Sequence, residues 1–260
     1  MNSILNKIFL FCITLLLGAC STLQRPSHQA TALTSPPYDA WSHVLEKFVD
    51  AEGRVDFVAA SKDRSELDRF VAYVYDVSPK TQPQLFPTPA HVLAYHLNAY
   101  NALAMYKVIQ AGFPDSLSGL KKVSFFYLDK VQVGGETISL YDYENKVIRP
   151  LGEERVHMVL NCMSISCPRL PREAFLPETL EQQLQRETLR FIGEPRNVQV
   201  DENKKLVHLS EIFKFYTEDF LAHAPSLVAW VSRYRTQPLP STYAIEFIPY
   251  DWTVNRQPAK

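Results

Sequence analysis

The chain has 260 residues, which is enough for one large domain or two small ones. Hydrophobic residues make up 46% and charged residues 21%, a composition that excludes a disordered chain, a collagen and a multispan membrane protein. Lys and Arg together number 27 and Asp and Glu 28, so the formal net charge is −1. A nucleic-acid-binding protein usually has a basic excess, and we therefore expect no nucleic-acid partner.

A short apolar run follows Lys7 and extends over residues 8–17. A charged start followed by such a run is typical of a secretory signal, because roughly 20 apolar residues would be needed to span a bilayer. The run leads into Leu-Gly-Ala-Cys, which ends at Cys20 and resembles the bacterial lipobox, whose cysteine is lipidated. We predict a lipoprotein signal peptide over residues 1–19, a lipidated flexible tether over 20–37 and one globular domain over 38–260.

The residue after Cys20 is Ser21. In Gram-negative lipoproteins an Asp at that position often retains the protein at the inner membrane. Its absence favours the outer membrane, facing the periplasm, with the bilayer as a partner of the lipidated chain. An ordinary signal peptide with an incidental cysteine is the alternative.

The remaining elements follow from apolar spacing and turn signals, taken in chain order. In the first half of the chain, these patterns predict helices over 39–50, 66–75 and 91–110, a hairpin over 131–139 and a short helix after Ser139. The second half predicts a strand over 156–161, a loop over 162–167, a helix over 180–192, a hairpin over 198–209, helices over 210–220 and 227–234, and a strand over 244–248. Helices and strands are intermixed, so we predict an α+β fold with several helices around a small, mostly antiparallel sheet.

The helix over 91–110 is apolar on nearly all sides, which predicts a buried central helix. Asn98 and Asn101 lie three residues apart on one line of this helix. Two buried amides need hydrogen-bond partners, so we expect each to hold a neighbouring loop or to orient a ligand.

Five segments, in order along the chain, resemble a known family. They are Leu97–Leu103 (Leu-Asn-Ala-Tyr-Asn-Ala-Leu), Ile138–Glu144, His157–Pro168, Leu209–Tyr216 and Tyr250–Asn255. These segments are similar to the domain of unknown function 547, over roughly residues 38–255. Bacterial members are often secreted or lipid-anchored, and some members look like papain-type or transglutaminase-type thiol enzymes with a proposed Cys-His-Glu set.

The resemblance implies a role for three residues of this chain. Cys162 matches the proposed nucleophile, His157 the histidine five residues earlier, and Glu144 the glutamate of the short helix. The chain departs from the family at Asn145, where members often have His, and at His96, which replaces a usually aromatic residue. The implied function is a thiol-dependent hydrolase or acyltransferase of the cell envelope, acting on an unknown peptide or envelope ligand without a cofactor.

The predicted strand raises a geometric objection to this set. A fully extended chain over 157–162 would span about 16 Å, which separates the histidine from the cysteine. Either the chain turns at the cysteine, or the base is His96, His208 or Glu144.

Other interpretations of the cysteines stay open. In an oxidising periplasm, Cys162 and Cys167 can close a small disulfide. They could also join His157 as zinc ligands, although no paired Cys-x-x-Cys or His-Glu-x-x-His spacing supports a metal site. A disulfide favours a second function, a non-catalytic envelope binding or scaffold domain. A free thiol at Cys162 favours the enzyme, in which Cys167 is structural and the Asn161 amide orients a base or stabilises an oxyanion.

Replacing Cys20 with Ser should release a soluble or unprocessed form, because the variant lacks the acceptor sulfur for the lipid. Metabolic labelling with a radioactive fatty acid, followed by membrane fractionation, measures this change. Lipid labelling equal to that of the unsubstituted chain would contradict the prediction.

Overall fold

The computed structural model describes residues 23–26 and 35–258, so the predicted signal peptide and Cys20 lie outside the described residues. Ten helices and five strands are intermixed in these ranges, which confirms the α+β prediction. The helices are α1 (Tyr38–Phe48), α2 (Phe57–Lys62), α3 (Ser65–Asp76), α4 (Pro89–Gln110), α5 (Leu120–Val123), α6 (Leu140–Tyr143), α7 (Leu180–Gly193), α8 (Glu211–Phe215), α9 (Thr217–Leu221) and α10 (Leu227–Ser232). The strands are β1 (Lys130–Val133), β2 (Glu136–Ser139), β3 (Val198–Asp201), β4 (Leu206–Ser210) and β5 (Ala244–Ile248). None of the described helices has the length and apolar content to cross a membrane.

The strands form two small sheets. Strands β1 and β2 make an antiparallel hairpin whose turn contains Gly134 and Gly135, both with positive φ. In the second sheet β3 pairs antiparallel with β4, and β4 pairs parallel with β5. The sheets are therefore small and mostly antiparallel, as the sequence predicts.

Helix α4 is the buried centre of the fold. Thr88 caps its N-terminus and Pro89 occupies its first turn, where a missing N–H costs nothing. Every residue from 93 to 109 is buried. Its buried polar side chains therefore need hydrogen-bond partners on neighbouring segments.

The predicted strand over 156–161 is wrong. The chain forms a 3-10 helix over Glu154–Met158 and then continues without regular structure. All six residues from 156 to 161 are buried, including the polar His157 and Asn161. Alternation therefore does not separate a core face from a solvent face here. The Asn101 amide also takes two backbone hydrogen bonds of this segment that a neighbouring strand would otherwise make.

The predicted helix over 210–220 is divided at Tyr216 into α8 and α9. Ser210 caps the first of them, as its position predicts. Tyr216 leaves helical geometry, with φ −121° and ψ 29°. The break lets Tyr216 stack on the ring of His157, with centroids 3.7 Å apart.

Buried side chains form two clusters. The larger surrounds α1, α3 and α4, and the smaller surrounds α8, α9 and α10 with β4. Cys162 and Trp252 pack against the larger cluster, whereas Tyr216 and Tyr250 pack against the smaller. The predicted nucleophile therefore lies where the two clusters meet.

Replacing Asn101 with Leu should lower the free energy of unfolding by about 1–3 kcal/mol, because the buried N–H of Asn161 and the carbonyl of Val159 would lose their partner. Urea denaturation measures the difference. Asn203→Leu, in the exposed β3–β4 turn, is the control and should change stability far less. Equal stability of the Asn101 variant and the unsubstituted protein would contradict the prediction.

Candidate functional site

All three residues of the Cys-His-Glu set line one cavity. Cys162, His157 and Glu144 surround a space of about 60 Å³ together with Tyr216 and Tyr250. A larger cleft of about 320 Å³ shares Cys162 and Glu144 with this cavity. Exposed or partly exposed aromatic and basic side chains line the rest of the cleft. They are Lys122, Tyr127, Tyr141, Phe215 and Trp252.

Cys162 is partly exposed, whereas Cys167 is 3% exposed. The two cysteines form a disulfide, with Cα atoms 6.3 Å apart. The hydroxyls of Ser164 and Tyr250 lie 3.0 and 3.2 Å from the Cys162 sulfur. In this oxidised state the sulfur is bonded and cannot act as a nucleophile.

The loop turns sharply at the cysteine. Met163, the next residue, has a φ of 67°, which is unusual for a residue other than Gly. The Asn161 side chain accepts a hydrogen bond from the Met163 N–H at 2.7 Å and donates to the Pro168 carbonyl, also at 2.7 Å. This turn and the 3-10 helix remove the objection based on an extended chain. The Asn161 side chain holds the loop, and it lines neither the cavity nor the larger cleft that contain Cys162.

His157 is buried on the 3-10 helix, and its side chain is 1% exposed. Its Nε2 lies 2.8 Å from Oδ2 of Asp219 on α9. Its Nδ1 has no hydrogen-bond partner in the described part of the chain. A buried imidazole with one nitrogen oriented by a carboxylate and the other unpaired is arranged as a general base would be.

Arg149 fixes the Asp219 carboxylate through two hydrogen bonds of 2.7 Å. Burial opposes ionisation of Asp219, but the hydrogen bonds from Arg149 and His157 outweigh it and hold the pKa of this carboxyl well below its ordinary value. Asn145, the residue that departs from the family pattern, accepts a hydrogen bond from Arg149 at 2.6 Å. Asn145 therefore supports the Arg149–Asp219 pair.

Glu144 is buried and begins a π-helical turn that continues from α6. Tyr100 donates a hydrogen bond to its Oε2 at 3.0 Å. Burial, with Glu144 nearby, raises the pKa of Tyr100 and Tyr216 well above the ordinary tyrosine value, so both hydroxyls remain donors. The carboxylate that orients His157 is thus Asp219, and Glu144 contacts tyrosine hydroxyls instead.

The other two candidate histidines lie away from the cavity, whereas Glu144 lines it. His96 bonds to the hydroxyl of Tyr143 at 2.8 Å, and burial lowers its pKa to about 4. His208 lies on β4, 3.5 Å from a carboxylate oxygen of Glu246. Neither lines the cavity that contains the Cys162 sulfur.

Asn98 and Asn101 are buried and hydrogen-bonded to other segments, as the sequence predicts. Asn98 bonds to both backbone groups of Phe175, and Asn101 accepts from the Asn161 N–H at 2.7 Å. Neither amide lines the cavity or the cleft. Both side chains hold loops in place, and Asn101 does so by bonding to Asn161, the residue directly before Cys162.

The alternative zinc set is not assembled. In residues 23–26 and 35–258, no group of three or more His, Cys, Asp or Glu side chains is placed to hold a metal ion. Cys162 and Cys167 are close together, but His157 directs its Nε2 to Asp219.

Residues 87–192 match the model of a known family. It is described as Protein of unknown function, DUF547. The resemblance is therefore confirmed over this range, which contains Asn98, Asn101, Glu144, His157 and Cys162. Asp219, Tyr216 and Tyr250 lie outside the DUF547 match. No curated protein and no solved structure matches the chain.

Replacing Asp219 with Asn should lower the free energy of unfolding by about 1–3 kcal/mol at pH 7, since a charged hydrogen-bond acceptor is lost. The folded-state pKa of Asp219 is depressed, so its contribution is complete above the unfolded pKa of about 3.8 and disappears as the pH falls further. The difference between variant and parent should therefore shrink below about pH 4.

Urea denaturation at several pH values from about 2 to about 7 measures the difference in unfolding free energy between the variant and the parent. Asp115→Asn is the control, because the Asp115 side chain is 96% exposed and its ion pair with Arg256 is open to solvent. A difference that stays constant with pH would contradict the role assigned to the Asp219 carboxylate.

Proposed function

We propose that this chain is a cell-envelope lipoprotein, located at the outer membrane and facing the periplasm, with a thiol-dependent hydrolase or acyltransferase site. The observation that supports the catalytic part is the arrangement around one cavity of Cys162 and a buried His157 oriented by Asp219. The apolar run ending at Cys20 supports the anchoring part. Peptides or other acyl compounds of the envelope are the corresponding substrates.

The reaction requires the reduced protein. Two electrons from a dithiol reductant open the Cys162–Cys167 disulfide, and the reductant becomes a disulfide itself. Cys162 then carries a thiol on the cavity that His157 also lines, and the buried Nδ1 of His157 has no hydrogen-bond partner in the described residues. The proposed reaction requires this nitrogen to come within hydrogen-bond reach of the Cys162 sulfur, directly or through one water molecule.

His157 takes the thiol proton while the Cys162 sulfur bonds to the acyl carbonyl carbon and the π electrons move to oxygen. Collapse of this intermediate breaks the bond to the leaving group, which takes the proton from His157, and a thioester remains. Water or an amine then attacks the thioester and passes its proton to His157. The Cys162 sulfur leaves and recovers that proton.

Two further groups fit this reaction. Asp219 stabilises the positively charged form of His157 that exists between the proton transfers. Tyr250 presents a hydroxyl 3.2 Å from the sulfur, and burial raises the pKa of that hydroxyl above its ordinary value. It therefore stays protonated and can donate to the developing oxyanion.

A second candidate function is a non-catalytic envelope binding or scaffold domain. The Cys162–Cys167 disulfide favours it, because the bond removes the nucleophile while the cleft stays open. In that function the aromatic cleft binds a ligand that is not altered.

Alkylation of the reduced, folded protein separates these functions. Iodoacetamide should modify Cys162 at pH values below the ordinary thiol value of about 8.5, because His157 accepts the proton. Cys167 should react more slowly, since it is buried. His157→Gln should move the midpoint of Cys162 alkylation to higher pH. Mass spectrometry of proteolytic peptides assigns the sites.

His208→Gln is the matched control, because His208 is remote from the cavity and should leave the profile unchanged. Circular dichroism checks that each reduced variant remains folded. The enzyme proposal is overturned if neither cysteine reacts after mild reduction. It is also overturned if Cys162 shows an ordinary pH profile of alkylation that His157→Gln does not change. Either result favours the non-catalytic binding domain.

A further inference from the structure

The segment just after the predicted lipidation site is fixed to the body of the protein. The Leu23 N–H donates to the Lys130 carbonyl at 2.8 Å, and the hydroxyls of Tyr75 and Tyr106 donate to the carbonyls of Leu23 and Gln24, each at 3.1 Å. Leu23 also packs against the larger hydrophobic cluster. These contacts lie within the range predicted as a flexible tether, so residues 23–26 hold a defined place on the surface.

This attachment limits the distance between the protein and a lipid on Cys20. Cys20 is three residues before Leu23, and three fully extended residues span at most about 11 Å. If Cys20 carries lipid, the surface around Leu23 and Lys130 must lie close to the bilayer headgroups.

An exposed apolar and basic surface directly precedes Lys130 in the chain. Helix α5 and the π-helical turn that follows it, Ser124–Leu128, end two residues before Lys130. Leu120 is 88% exposed, Val123 44% and Leu128 49%. Lys121 is exposed among them. We name Leu120, Lys121, Val123, Leu128 and Lys130 the basal patch.

The charges of the basal patch favour one kind of partner. Residues 120–130, which contain the patch, include three lysines, at 121, 122 and 130, and one acid, Asp129. Apolar side chains interspersed with lysines are typical of surfaces that lie at a membrane interface, where the apolar groups enter the headgroup boundary and the amines contact anionic lipids. Exposure of three large apolar side chains on one short segment also points to a surface that becomes covered.

We propose that the basal patch rests on the anionic phospholipid headgroups of the membrane that holds the lipid anchor. This inference rests on the lipoprotein part of the proposed function and is independent of the thiol chemistry. It also places the cleft near the bilayer, because Lys122 and Tyr127 of the same segment line the cleft.

The test uses the full chain, processed and lipidated in a bacterial host, then reconstituted into vesicles of phosphatidylethanolamine and phosphatidylglycerol. An environment-sensitive dye is attached to Leu120→Cys under non-reducing conditions, which keep the native disulfide closed. Leu189→Cys on α7 is the matched control, since Leu189 is also an exposed apolar residue, at 44%, and lies outside the patch. Brominated phospholipids then quench a dye that contacts the bilayer.

We expect a blue shift and quenching for the dye at position 120, and neither for the dye at position 189. Adding Lys121→Glu, or raising the salt concentration, should reduce the quenching, because attraction to anionic headgroups is screened within a Debye length. The control charge reversal Lys62→Glu, on α2, should not reduce it.

Flotation of the vesicles separates the two ways of failing. If the unsubstituted chain does not float, both the anchor and the basal patch proposal are overturned. If it floats but the two dyes respond equally, the patch proposal alone is overturned. If the dye at position 120 on the Cys20→Ser chain is shielded in buffer without detergent or vesicles, a second protein copy covers the patch, which also overturns it.

Discussion

The side-chain amide of Asn101 fixes the geometry on which the candidate site depends. Placed on a helix that is buried on all sides, this amide reaches the carbonyl of Val159 and the N–H of Asn161. Asn161 in turn bonds to Met163 and Pro168, each of which directly follows one of the two cysteines. One amide therefore connects the rigid centre of the fold to the loop that presents Cys162. Because the interior is closely packed, a shift of the helix would be passed to this loop.

The site also depends on a second part of the chain. Asp219 lies on α9 and Tyr216 at the break before it, in the part of the chain that packs around the smaller hydrophobic cluster, whereas Cys162 packs against the larger one. The break at Tyr216 places an aromatic ring on one face of His157, and the next helix supplies the carboxylate to its Nε2. The imidazole is thus positioned by stacking and by charge from elements far away in sequence.

Local patterns predict much of the fold. Helix α4, the Gly134–Gly135 hairpin and the Ser210 cap follow from apolar spacing and turn chemistry. The segment over 156–161 does not, because its polar residues are buried by side-chain hydrogen bonds that alternation cannot reveal. Asp219 could not be found either. Its role depends on a contact across 62 residues of chain, and Glu218 on the same helix is an acid that the sequence does not distinguish from it.

The cysteine pair closes a ring of only six residues. In the chain-entropy account, so short a ring removes little freedom from the unfolded protein, and its closure contributes only about 2 kcal/mol. The Asn161 hydrogen bonds constrain the same six residues without help from sulfur. Reducing the disulfide therefore replaces an S–S bond in the cavity wall by two thiols and lowers the stability of the native state by only this small amount. The cysteine pair can change its oxidation state while the surrounding loop keeps its structure.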